Sequence, residues 1–168
     1  MLCVIATVVP EANRKLEQLR ENALPGVQFD PPLPAHITLA TWLPEDADAF
    51  MDACTEMFRD IPSLTVRYEK VEVLAETSII VATPSMPAAL VSLHNRIVDQ
   101  FGASLDQWTR GSAWYPHSTL LYSPSLDLDA VCAEMQKYFV PFEARIDAIE
   151  FSRVEEKGYT VLNRIPLP

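Results

Sequence analysis

The chain has 168 residues, 49% of them hydrophobic and 21% charged, with a formal net charge of −10 at pH 7. That composition describes a soluble globular domain able to bury a sizeable core, and no apolar run approaches the ~20 residues of a membrane span. The acidic balance repels polyanions and so argues against a protein that tracks long nucleic acids, while leaving room for a small or terminal anionic substrate.

In chain order, Leu2 to Val9 is an apolar, β-branched run closed by Pro10, which predicts a buried strand. No basic residue precedes that run, so it lacks the charged start of a signal peptide. From Glu11 to Ala23 the period changes: Ala12, Leu16, Leu19 and Ala23 fall at helical spacing before Pro25-Gly26. A proline-rich loop from Pro31 to Pro34 then leads into a strand, His36 to Leu43. Pro44, Glu45 and Asp46 suit a helix start, with Phe50, Cys54, Met57 and Phe58 as its inner face.

Two strands follow, near Leu64 to Leu74 and Thr77 to Thr83, with a turn at Ala75-Glu76. A helix from about Met86 to Phe101 presents Leu90, Leu93, Ile97 and Phe101, and Gly102 is placed to end it. After an irregular stretch to Trp114 come a strand from Pro116 to Tyr122, a helix from about Leu126 to Phe139, and a closing hairpin, Phe142 to Leu167. Its tip falls at Glu155-Glu156-Lys157-Gly158.

Cys3, Cys54 and Cys132 are odd in number, far apart and set among apolar neighbours. They read as reduced core thiols, which makes the cytoplasm the expected compartment.

The two halves repeat. Ile5-Ala6-Thr7 matches Val81-Ala82-Thr83, and Leu64, Val66, Tyr68, Val71 and Val73 match Phe142, Ala144, Ile146, Ile149 and Phe151. In both copies of the latter strand the apolar positions switch from even to odd at the same place, which predicts a β-bulge or bend there. Between the matched strands lie two copies of one pattern, Pro34-Ala35-His36-Ile37-Thr38-Leu39 and Tyr115-Pro116-His117-Ser118-Thr119-Leu120. The expected architecture is therefore α+β: a single domain, residues 1–168, of two pseudo-symmetric repeats (about 1–75 and 76–168) forming two lobes. Each lobe is an antiparallel sheet with helices outside, and a central cleft lies between the two His-x-Thr strands.

On an extended strand alternate side chains share a face, so each pattern sets an imidazole beside a hydroxyl. Histidine titrates near pH 6.5, so one ring can accept a proton while the other donates, and the hydroxyls can hold non-bridging phosphate oxygens. By the same parity Tyr115 and Trp42 share the histidine faces, Tyr115 with stacking and packing evenly balanced, while Trp114 and Tyr122 point away toward core packing. His94 has no threonine partner and no counterpart in the other half, and reads as a core-edge histidine. Asp46, Asp48 and Asp52 are explained by a helix dipole, and no metal-ligand spacing, phosphate loop or dinucleotide fingerprint is present. No metal and no cofactor are expected.

The paired His36-Ile37-Thr38 and His117-Ser118-Thr119 motifs on a duplicated α+β chain resemble the two-histidine (2H) phosphoesterase superfamily. Its branches include the 2′-5′ RNA ligase-like proteins and the 2′,3′-cyclic nucleotide phosphodiesterases. The resemblance implies metal-independent opening of a 2′,3′-cyclic phosphate on a nucleotide or RNA end, with His36 and His117 as the acid–base pair and Thr38 and Thr119 holding the phosphate. By analogy with that family, His36 protonates the leaving sugar oxygen and His117 activates water. Ser118 stands where an apolar residue like Ile37 would pack, which predicts a less tightly backed second strand. Arg110 and Arg153 are candidate phosphate contacts, and Tyr115 a candidate base contact. The acidic balance argues against joining of tRNA halves as the natural role. The rival readings are a non-catalytic binder of nucleotides or RNA ends and a 2H enzyme for another small phosphodiester. Activity is expected to survive a chelator; strict dependence on added divalent metal in the same assay would overturn the metal-independent reading.

Overall fold

The computed structural model describes residues 1–27, 34–42, 47–155 and 158–168. Its elements run β1 (Leu2–Val8), α1 (Pro10–Ala23), β2 (His36–Trp42), α2 (Ala47–Phe58), β3 (Leu64–Val73), β4 (Ile79–Pro84), α3 (Ala88–Phe101), a 3-10 turn (Gly111–Ala113), β5 (Ser118–Tyr122), α4 (Leu128–Tyr138), β6 (Phe142–Glu155) and β7 (Gly158–Pro166). The loop residues 31–33, the helix start at Pro44, Glu45 and Asp46, and Glu156-Lys157 at the hairpin tip lie outside the described residues.

All strand pairs are antiparallel, in one seven-stranded sheet of order β2-β1-β6-β3-β4-β5, with β7 added on β6. The long β6 is its spine. The first part of β6 pairs with β3, from Tyr68 opposite Phe142 to Leu64 opposite Ile146, and the rest lies between β1 and β7. Leu2, Val4, Ala6 and Val8 of β1 join one core with helix residues such as Leu16, Phe50, Leu93 and Met135. Cys3, Ile5 and Thr7 are buried too, on the face that the helices do not cover. A strand buried on both faces has no polar side to alternate with, which is why this segment reads as a continuous apolar run.

The expected bulge is present in both copies. Glu69 is the extra residue where Tyr68 faces Pro84 but Lys70 faces Thr83, and Asp147 is extra where Ile146 faces Val8 but Ala148 faces Thr7. A second pair of register shifts falls inside the histidine motifs, at Leu39 against β1 and at Leu120 against β4. We propose, on these equivalences, that the chain is one domain of two repeats.

The bulges at Leu39 and Leu120 correct two expectations, because an extra residue reverses which face every later side chain occupies. Trp42 lands on the helix side, edge-on to Phe50 with ring centroids 3.8 Å apart, and not on the face of His36. Tyr122 stands opposite Ile79, whose neighbours Ile80 and Ala82 face the helices, so it shares the face of Thr119 and is 69% exposed. Gly102 does end α3, but in a right-handed conformation (φ −53°). A side chain there would meet the carbonyl oxygen of Val98 at 2.6 Å.

β2 ends the sheet path, yet its outer edge is satisfied by groups from α3 and the following loop. The amide of Asp106 donates to the carbonyl of Thr41 (3.1 Å), and the amide of Thr41 donates to Thr109 Oγ1 (3.1 Å). Trp114 Nε1 donates to the Thr38 carbonyl and His94 Nδ1 to that of Leu39, both at 2.8 Å. The Asp106 carboxylate accepts from the Thr41 hydroxyl and from the amides of Trp108 and Thr109. Burial alone would raise its pKa, but these donors hold it below the ordinary aspartate value. A carboxylate with a lower pKa folded than unfolded stabilises at neutral pH, and that contribution is lost as pH falls through and below about 3.9. Asp106→Ala should lower stability by about 1–3 kcal/mol at pH 7. The gap from the unsubstituted protein should close below about pH 4, as followed by urea unfolding at a series of pH values.

Candidate active site

His36 opens β2, and His117 immediately precedes β5, which starts at Ser118 and not at the expected Pro116. Each ring is fixed in the same way. His36 Nδ1 lies 2.9 Å from the carbonyl oxygen of Pro34, and His117 Nδ1 lies 2.7 Å from that of Tyr115. A carbonyl only accepts, so Nδ1 carries the hydrogen in both rings and Nε2 is left as the working nitrogen. Both rings are half-buried. They are close enough that a charge on His117 disfavours one on His36.

The two motif strands are joined directly. Ser118 Oγ donates to the His36 carbonyl at 2.8 Å and lies 2.6 Å from the Tyr68 hydroxyl. The single serine hydrogen is used on the carbonyl, so Tyr68 must donate to Ser118, and burial keeps that phenol protonated, with its pKa pushed up to about 12. Ser118 is fully buried. The expectation of a loosely backed second strand is thus corrected: a polar bridge replaces apolar packing at that position. Trp114 adds a second tie through Thr38, and stacks on His94 with centroids 3.9 Å apart. His94 is wholly inside the core, a brace for β2.

Burial lowers the pKa of His36. The bond to the Pro34 carbonyl opposes this, repulsion from His117 adds to it, and the Glu150 carboxylate opposes it. Glu150 is one of two glutamates at equivalent places in β6 and β3. Arg164 is paired with Glu150 and, at 2.9 Å, with Asp147, which accepts from Thr7 Oγ1 at 2.6 Å. Glu72 accepts from Lys70 (2.8 Å), Thr83 (2.7 Å) and the Tyr115 hydroxyl (2.5 Å). Although burial alone would raise the pKa of Glu72, those three donors hold it low.

Tyr115 stands beside His117, with ring centroids 6.3 Å apart, and is partly exposed. Thr38 and Thr119 follow their histidines on the same strand faces, Thr119 exposed and Thr38 half-buried. Neither candidate arginine reaches the rings in this structure. Arg110 turns back to donate to the carbonyls of Ala103 (3.2 Å) and Leu105 (2.5 Å). Arg153 stands opposite Leu2 on the helix-side face of its strand, whereas its neighbour Ser152 stands opposite Cys3 on the other. Lys70 and Arg164, bonded to Glu72 and Glu150, do lie on the histidine face, and sequence reasoning missed them. The match of β3 with β6 did contain the signal, because Glu72 and Glu150 each follow a matched apolar residue. Among the described residues, no group of three or more His, Cys, Asp or Glu is placed to hold a metal ion.

Two half-buried imidazoles, each with Nδ1 engaged and each followed by a threonine, thus stand on bonded strands of an antiparallel α+β sheet. A model of the 2′-5′ RNA ligase superfamily matches residues 8–158, and the chain belongs to that family, a branch of the 2H phosphoesterases. Among solved structures, TT0787 of Thermus thermophilus aligns with TM-score 0.69 and 17% identity, over 99% of this chain and 97% of that one. E. coli LigT complexed with 3′-AMP aligns with TM-score 0.67 and 18% identity, over 99% and 96%. A structure described as a phosphoesterase aligns with TM-score 0.68 and 19% identity, over 99% and 97%. These likenesses establish the fold. No match was found among curated proteins.

Removing the Ser118 hydroxyl leaves Tyr68 and the His36 carbonyl without their shared partner inside the protein. Ser118→Ala is expected to cost about 1–3 kcal/mol in urea unfolding. It should also lower turnover more than Thr55→Ala, which removes a half-buried hydroxyl of α2 that donates to the Met51 carbonyl.

Proposed function

We propose that the protein is a metal-independent phosphoesterase that opens the 2′,3′-cyclic phosphate of a nucleotide or RNA end. The observation that carries this reading is the identical treatment of the two imidazoles: in each, Nδ1 is committed to the carbonyl two residues back, which leaves Nε2 for chemistry, and a threonine follows two residues on. Pure binding of a phosphate needs donors; it does not need two imidazoles, side chains that can both take up and give a proton. Family membership supports phosphoesterase or RNA ligase-like chemistry. E. coli LigT has been crystallised in complex with 3′-AMP, with ATP and with NADP+, which supports a small nucleotide as the partner.

In the proposed reaction water attacks phosphorus in line with one ring oxygen of the cyclic ester. His117 Nε2 takes the water proton as the new P–O bond forms, the opposite P–O bond breaks, and His36 Nε2 gives its proton to the departing sugar oxygen. The product is a ribose monophosphate with one free hydroxyl, and the second proton transfer leaves the pair ready to exchange roles. Thr38 and Thr119 donate to the non-bridging oxygens, whose charge grows in the transition state. Tyr115, held by Glu72, borders the His117 end, while Lys70 and Arg164 moderate the negative field of a chain that is acidic overall. The three cysteines are free and buried, in keeping with the cytoplasm as the compartment, and no helix among the described residues is long and apolar enough to cross a membrane.

Separate His36→Ala and His117→Ala variants should each lose about 10²–10⁴-fold in kcat against 2′,3′-cyclic mononucleotides in metal-free buffer, with unchanged circular dichroism. Near-normal turnover in either would end the proposal. The depressed pKa of His36 adds a sharper expectation. An anionic substrate beside the ring favours its charged form, so His36 takes up a proton as substrate binds. The limb of the kcat/KM profile that reports loss of the acid's proton in the free enzyme should fall below about 6.5, and the matching limb of kcat should lie higher. Coincident limbs in the two profiles would remove His36 from the acid role.

A further inference from the structure

The two rings are held alike, but the glutamates beside them are not. Across the sheet Thr38 stands opposite Ile5, Ile5 opposite Glu150, and Glu150 opposite Arg164. The carboxylate-bearing strand therefore lies two strand spacings, about 10 Å at the backbone, from the first motif. In the other half Val81 stands in the same way between Thr119 and Glu72. Both oxygens of Glu72 are engaged: Oε1 accepts from Thr83 and Tyr115, Oε2 accepts from Lys70, and the side chain is 30% exposed. The Glu150 side chain is only 8% exposed; its Oε1 accepts from Arg164, and its Oε2 has no hydrogen-bond partner among the described residues. Glu150 and His36 line one small cavity on the helix-free face, together with Ile5 and Tyr159.

We propose that Glu150 is a positioning residue of the reaction, the countercharge that lets the His36 ring carry the proton it delivers. It acts through His36 and touches no reacting atom. The inference rests on the phosphoesterase reading above, and it supplies a structural reason for unequal roles in two equally held rings.

Burial is the largest influence against a charge on His36, and repulsion from His117 adds to it; the Pro34 carbonyl and Glu150 oppose them. The carbonyl is a dipole without net charge, so of these two only Glu150 brings a countercharge. The remaining groups around the ring do not take its place. From β1 come Thr7, opposite His36, and farther along the Cys3 thiol, which burial pushes up to about 11 and keeps neutral. From β7 comes Tyr159, whose phenol burial likewise holds above its ordinary value. Asp147 of β6 is bound by Thr7 and Arg164. Arg164 reaches both carboxylates, but its side chain is 44% exposed, so water screens its charge more than that of Glu150. On α1, Glu17 and Arg20 stand near Ala35, with Glu17 bonded to Asn13. At the His117 end, three donors and greater contact with water leave less of the Glu72 charge to act on the second ring.

The test follows the ring itself, by imidazole nitrogen NMR across pH in the unsubstituted protein, Glu150→Gln and Glu150→Asp. In Glu150→Gln the His36 midpoint should fall by about half a pH unit or more, less than the one to three of a close ion pair because Arg164 shares the carboxylate. Glu150→Asp keeps the charge and should recover most of that shift, and His117 should move less than His36 in both variants. In metal-free assays with adenosine 2′,3′-cyclic phosphate, the limb of kcat/KM that reports the acid should move with the His36 midpoint. On the alkaline side of that limb, a shift of half a unit reads as a loss of about threefold. Equal His36 midpoints in the three proteins overturn the proposal. So does an equal displacement in Glu150→Asp and Glu150→Gln, the mark of a merely structural role, and so does a limb that stays in place while the midpoint moves. Should Glu150→Gln fail to fold, the carboxyl carbon shift of Glu150 in the unsubstituted protein should show a step at the His36 midpoint, and absence of that step overturns the countercharge. If no protein turns over the substrate, the phosphoesterase reading fails on its own account, and the NMR midpoints alone decide whether Glu150 holds a proton on His36.

Discussion

The hydrogen bond from Ser118 Oγ to the carbonyl of His36 joins the two ends of the sheet. β2 and β5 stand at opposite ends of the strand path, five pairings apart if followed through β1, β6, β3 and β4. This bond makes the two histidine strands neighbours all the same. Everything proposed for the site depends on that closure, because an acid and a base work together only when both reach one substrate. The bond is backed from below by Tyr68, whose own hydrogen completes the serine, so the closure is a chain of satisfied polar groups inside an apolar core. Such a chain resists sliding of one strand past the other, since any displacement strands a buried hydroxyl or carbonyl.

A second constraint works with the first. The bulges at Leu39 and Leu120 let the same strand serve two faces: His36 and Thr38 look to the substrate side, and beyond the extra residue Trp42 looks to the helices. Without the extra residue, the strand would have to present Trp42 to solvent or turn Thr38 inward. The bulges at Glu69 and Asp147 do the equivalent for β3 and β6. Beyond each of them the glutamates, Glu72 and Glu150, come out on the histidine face, where Glu72 gathers a lysine and two hydroxyls and Glu150 an arginine. A symmetric scaffold thus carries a symmetric pair of rings, and what breaks the symmetry is the added strand β7 on one side and the longer loop before Trp114 on the other.

Much of this was legible in the residues. Helix and strand periods placed nearly every element to within a residue or two, because core-facing side chains recur at the spacing of the element that carries them. The repeat located the switch in β3 and β6, since apolar residues changed parity in both copies. It did not locate the shift inside the motifs: Leu39-Ala40 and Leu120-Leu121 are apolar on both sides of the bulge, so no parity change is visible there. That is why simple alternation put Trp42 and Tyr122 on the wrong faces. Arg110 and Arg153 were singled out for their chemistry and nearness in sequence, and the fold engages one with its own loop and turns the other to the helix side.

By itself, the sequence determined the element order and the two His-x-Thr stretches, and it supplied the matches on which the two repeats are proposed, because each of these is a local pattern or a comparison of local patterns. Only the tertiary structure decided that the two stretches meet and that Ser118 is the bridge between them and not a gap in the packing. Those features depend on which strand edges close on each other and on a single extra residue in a ladder. The closure is set by the whole chain burying its apolar faces at once, and an extra residue flanked by apolar side chains on both sides, as at Leu39 and Leu120, leaves no parity change in its own segment.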